Sequence, residues 1–238
     1  MTTGEDKSKS LFKQLLRGQV AGERVEVDSA GLSEEMVLLR EWQANRLQHT
    51  YDDLLHSEKY GRACAFFLSD IYGAKDFSQR DADAENAYNS MRKYLPDRLL
   101  ATLGKAIELN NLTQTLDSQL LDVLVNQLNV HDEITASQYA EAYRICDNYD
   151  ARAYQIELLT ELGSGLDTLI RLPMIGLILR TARRPAIRAG WGELHDFLER
   201  GFAAFKEMGQ ASSFLQIVEE RERAILDKIF ANDPNPFD

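Results

Sequence analysis

The sequence predicts an all-α fold, an irregular bundle of about eight to ten helices in a single domain, and three observations carry that prediction. Unbranched residues dominate, with 33 Leu and 24 Ala against 8 Val, and such side chains lose little rotamer freedom in a helix. Apolar residues recur at three- and four-residue spacing, with capping residues at the breaks between runs. Alternation is confined to Val25-Glu26-Val27, too short to found a sheet.

Taken in order, residues 1–32 read as a mobile N-terminal segment with a short helix and a glycine-containing connector from Gly18 to Gly31. Ser33 is an N-cap candidate, and Glu34 and Glu35 complement the positive end of a helix carried by Met36, Leu39, Trp42, Leu47 and Leu54, to about His56. Ser57 caps the next, whose Ala63, Phe66, Phe67 and Ile71 form an aromatic core stripe before Gly73 stops it. Ser78-Gln79-Arg80-Asp81 has the capping-box spacing.

Pro96 suits the first turn of a leucine-striped helix, with Asn110-Asn111 as a break and Asn129 as an end. Thr135-Ala136-Ser137-Gln138 is a second capping box, and a further helix from near Asp150 should be thinned or bent by Gly163 and Gly165. Pro173 and Pro185 bracket a shorter helix, and Gly209 separates the last two. The helical domain thus covers 33–230, and the tail 231–238, ending DPNPFD, is expected to be disordered. No repeat of solenoid length is visible.

The formal net charge of -11 opposes broad attraction to nucleic acid or anionic lipid, which only a local basic patch could overturn. One such patch exists. Residues 168–192 hold Arg171, Arg180, Arg183, Arg184 and Arg188 and no acidic residue, which leaves -16 on the remainder. Arginine suits bidentate contacts with carboxylate or phosphate. The segment either ties acidic helices of the same fold together or forms an anion- or partner-binding surface.

Cys64 and Cys146 stand in no metal or disulfide spacing and read as small buried hydrophobes. No apolar run reaches the length of a membrane span, and none follows the N-terminal charges, so the cytoplasm is the expected compartment.

Among chemical constellations, His49, Asp53 and His56 share one helix face and are weak metal candidates. The Glu-x-x-His pairs of carboxylate-bridged metal bundles are missing, so no metal and no cofactor is implied. Asp70 lies beside the aromatic stripe where the helix dipole disfavours it, so it should organise the following loop, with Arg80 as partner. Asp117 and Glu108 border a leucine stripe, where a carboxylate is either a raised acid or an edge residue. His131, His195 and Gly163-Ser164-Gly165 match no catalytic or nucleotide motif.

In FFLSDIYG (66–73), DFSQRD (76–81) and RRPAIRAGWGELHDFLERGFAAF (183–205), the chain resembles an uncharacterised bacterial all-helical domain family, over about residues 35–230. That resemblance implies a single helical domain of unknown function and carries over no site residue. The expectation is a non-catalytic protein-interaction or regulatory module with a protein partner or a homodimer. The first alternative is an enzyme or sensor that binds a small anionic ligand at 171–188, with Asp70, Tyr72 and Arg80 as further polar candidates; a helical-bundle metal or haem protein is the second. Nucleic acid is disfavoured as a partner.

Overall fold

In the computed structural model, which describes residues 32–73, 76–91 and 97–238, the Ser33 hydroxyl accepts from the Met36 amide at 3.2 Å and starts helix α1 (Glu34–Thr50). The expected run to His56 breaks at Tyr51, and α2 (Asp52–Leu55) is a separate turn. Tertiary anchoring explains the break. Tyr51 is fully buried, its ring edge-on to Phe67 and its hydroxyl donating to Glu222 Oε1 at 2.8 Å. The N-terminal segment 1–31, with its expected short helix, lies outside the described residues.

Ser57 Oγ accepts from the amides of Lys59 and Tyr60 ahead of α3 (Gly61–Phe66), which widens into a π-helical turn over Phe67–Ile71. Gly73 follows because a Cβ there would lie 2.4 Å from the Ser69 carbonyl oxygen. Helix α4 (Ser78–Met91) already contains Ser78, and the Asp81 amide donates to Phe77 O. Phe77, one residue ahead of the expected Ser78, therefore takes the N-cap position. The Asp81 carboxylate accepts from Arg80 and from Gln114.

Helix α5 (Asp97–Asn126) passes Asn110-Asn111 unbroken, because Leu109, Leu116, Leu120 and Leu124 keep one buried stripe along it. Pro96 lies outside the described residues. Thr135 and Gln138 form the reciprocal capping box of α6 (Ala136–Cys146). Helix α7 (Tyr149–Ile170) runs through both glycines, which serve close approach: a Cβ at 163 would lie 3.0 Å from Ser212 Cα, and one at 165 would lie 2.4 Å from Thr102 Oγ1.

Helix α8 (Pro173–Arg188) continues past Pro185 where the sequence suggested a stop. One ladder bond is lost there, but the groove-side residues 178, 182, 186 and 189 stay in helical register beside α9 (Gly192–Met208). Gly209, at φ 83°, closes α9 in the left-handed region. Helix α10 (Ala211–Phe230) is capped from another helix: the Asp167 carboxylate of α7 accepts from the amides of Ala211 and Ser212 and from the Ser212 hydroxyl.

The α7–α10 pair is the spine of this single helical domain. One core cluster gathers Tyr51, Cys64, Phe67, Leu158, Phe205, Phe214 and Val218 around it, and a second gathers Leu39, Leu120, Leu124, Ile134 and Tyr139 beneath α1, α5 and α6. The tail, expected to be disordered, packs on that second cluster. Phe237 meets Trp42 and Tyr139 edge-on, Pro236 is buried, and Lys228 Nζ donates to the Asp238 carbonyl. Two aromatic partners offset the entropy of ordering a short segment. Among the described residues there is no strand.

Candidate functional site

The FFLSDIYG segment is a partition between two cavities of opposite character. Phe66 and Ile71 line one, Phe67 and Tyr72 the other. The π turn makes that division, since its extra residue per turn shifts which side chains share a face, and such turns concentrate at functional sites.

The polar cavity, about 50 Å³, lies among α1, α5, α6, α7 and α10. Arg46 NH1 meets Glu222 Oε1 at 2.5 Å, and Arg152 NH1 faces Asp117 Oδ1 at 3.5 Å. Gln43 Nε2 donates to Asp117 at 3.1 Å, Arg152 NH2 donates to Leu116 O at 3.0 Å, and Gln155 Nε2 donates to Thr113 Oγ1 at 2.7 Å. The Arg152 guanidinium also lies 4.5 Å above the Tyr143 ring. Two cations face two anions, so the wall is neutral overall. Burial alone would lower the Arg46 pKa, yet the adjacent Glu222 carboxylate raises it on balance. The arrangement holds five helices in register and specifies their packing.

The second cavity is a groove of about 380 Å³ framed by the end of α3, the start of α5, the second half of α7, α8 and α9. Its wall is carbon almost throughout: Leu103, Leu162, Leu166, Ile178, Phe197 and Phe202 are representative, and among the described residues only Thr102, Trp191 and His195 bring polar side-chain atoms to it. His195 Nε2 donates to Leu179 O at 2.7 Å, and its Nδ1 lies 3.8 Å from Asp196 Oδ1 and 4.0 Å from Glu199 Oε2. His195 Nδ1 and Trp191 Nε1 are both covered and without a hydrogen-bond partner.

Gly201 admits Phe66 to the groove, since a Cβ there would lie 2.8 Å from the Phe66 ring. Next to the groove, His195, Asp196 and Glu199 cluster as metal ligands would, but Arg183 already holds Asp196 Oδ1 at 3.5 Å and Glu199 Oε2 at 3.2 Å.

The residues singled out by sequence are placed as follows. Asp70 and Arg80 do meet, but through the Asp70 carbonyl, which accepts from Arg80 NH1 at 2.5 Å. The Asp70 carboxylate accepts from Arg200 of α9, from Nε at 3.1 Å and NH2 at 2.5 Å, and Arg80 stacks between Phe77 and Phe197. His49, Asp53 and His56 do not converge, because the break at Tyr51 turns them apart and Arg221 grips both oxygens of Asp53 at 2.7 Å. Asp117 belongs to the polar cavity; Glu108 accepts from the exposed Tyr154.

All five arginines of 171–188 are exposed on α8 or at the turn before it. Arg183 bridges to α9, whereas among the described residues Arg171, Arg180, Arg184 and Arg188 make no ion pair. Arg180 Nε donates only to Gly176 O of its own helix. Sequence reading missed Arg46, Arg152 and Glu222, each of which looks like an ordinary solvent-facing charge in a helix, and missed the groove, whose lining is indistinguishable from core in a one-dimensional pattern.

Among the described residues no single helix is long and apolar enough to cross a membrane. No curated protein and no solved structure matches the chain. One family model does, over residues 23–236, nearly the whole length, and the chain belongs to the family described as Domain of unknown function (DUF8198).

Proposed function

We propose that the chain is a non-catalytic binding module that holds an aliphatic chain, the acyl part of an amphipathic lipid, in the groove beneath α8. The observation that carries this reading is the groove's wall, carbon-lined over a volume of 380 Å³, inside the range of small-molecule sites. Among the described residues of that wall His195 is the only ionisable one and its Nδ1 is covered, so the bound portion of the ligand is uncharged and its polar end stays outside. Among the described residues of the wall no nucleophile stands beside a base, which favours holding over chemistry. Helix α8 suits a cover that opens, since none of its residues with a described side chain is buried.

Thermal unfolding with and without laurate tests the reading. At a free concentration about 100 times the dissociation constant, binding stabilises by about 2.7 kcal/mol, which for a chain of this size raises Tm by about 5 to 11 °C. Laurate should also displace an environment-sensitive fluorophore from the groove. Unchanged Tm together with no fluorophore uptake would discard the proposal.

A further inference from the structure

The outward face of α8 combines two properties that rarely meet on a protein surface. Arg180, Arg184 and Arg188 project from it among Leu177 and Ile187, which are 46% and 56% exposed, and Met174 continues the apolar strip at 39%. On a helical wheel these residues lie opposite Ile175, Ile178, Leu179, Ala182 and Ala186, which line the groove. The helix is thus apolar inward, and cationic with aliphatic tips outward.

We propose that this outward face docks on an anionic membrane surface, with the helix lying in the plane of the interface. Charge complementarity selects that occupant: the face carries arginines that have no acidic partner among the described residues, in a chain otherwise strongly acidic. Screening confines the repulsion from the remaining charge to about 8 Å at physiological salt, so a local patch decides contact. The aliphatic tips separate a membrane from a nucleic acid, because Leu177 and Ile187 gain by entering the acyl boundary and have nothing comparable to enter on a phosphate backbone. No helix among the described residues spans a bilayer alone, which fits lying on the surface. The inference goes beyond the groove and stands whatever fills it; together they place a lipid-binding cavity under the helix that meets lipid.

Co-sedimentation with extruded vesicles tests it, using phosphatidylcholine alone and equal parts phosphatidylcholine and phosphatidylglycerol. The protein should pellet with the anionic vesicles only, and added salt should release it. Arg180→Gln/Arg184→Gln/Arg188→Gln should lower the vesicle partition coefficient on the order of a hundredfold, since each arginine near such a surface contributes about fivefold. Leu177→Ser/Ile187→Ser should weaken binding while keeping its salt dependence. Both variants alter exposed side chains, and circular dichroism checks their folding.

Wild-type protein remaining in solution with both vesicle types overturns the proposal. So does equal pelleting by folded variants, or a preference for short duplex DNA over anionic vesicles. The laurate experiment uses no vesicles, so failure of one reading leaves the other legible.

Discussion

Tyr51, Tyr139 and Cys64 are weak acids whose ionised forms the interior resists. Burial is the main cause for each; it pushes the Cys64 thiol from 9.0 up to about 11 and holds both tyrosines above their ordinary 10.0, with Glu222 adding to Tyr51 and Tyr143 to Tyr139. In this window the folded chain retains protons that the unfolded chain has lost. The stability tied to these groups is therefore complete below their unfolded values and is lost as pH rises beyond them. Tm should fall progressively above about pH 9, and Tyr51→Phe should flatten the fall while lowering stability at neutral pH by about 1 kcal/mol through the lost bond to Glu222. A Tm that holds level through about pH 11 would mean that these hydroxyls meet water. None of this was legible beforehand, because tyrosine in a helix gives no sign of whether its hydroxyl faces a carboxylate across the core.

Between residues and fold, the partition segment shows what local pattern can and cannot tell. The aromatic stripe over 63–71, the stop at Gly73 and the need to satisfy Asp70 all follow from spacing and helix electrostatics. Spacing does not say that Arg200, 130 positions away, provides the partner, nor that a π turn splits the stripe between two cavities. The same divide runs through the other elements. Thr135 and Gln138 formed the box that sequence predicts because capping is local; α4 began one residue early, Pro185 failed to stop α8 and Tyr51 broke α1 because packing overrode local preference. A double-mutant cycle on Asp70→Asn and Arg200→Gln should give a coupling of about 1 kcal/mol, modest because Arg200 is half exposed. The corresponding cycle with Arg80→Gln should give less, since its bond is to the Asp70 carbonyl, which Asn retains. Stronger coupling to Arg80 than to Arg200 would reverse this assignment.

For the molecule as a whole, the groove is the feature that stability considerations single out. The groove, about 380 Å³ and partly open to solvent, leaves a carbon wall in contact with water, and apolar surface so exposed forgoes about 25 cal/mol per Å² of burial. Water in the groove gains little in return, because among the described residues the wall offers it few polar partners. On the proposed function, the alanines at 106 and 182 are small because larger side chains there would take the ligand's place. Ala106→Leu/Ala182→Leu should accordingly raise the ligand-free stability by about 0.5 to 2 kcal/mol and abolish the response to laurate, while sedimentation with anionic vesicles persists because the outward face of α8 is untouched. Stability and binding should move in opposite directions in one variant. Destabilisation by the pair with an intact laurate response would instead show that these alanines pack against α8 and α9 as ordinary core, with no ligand to make room for.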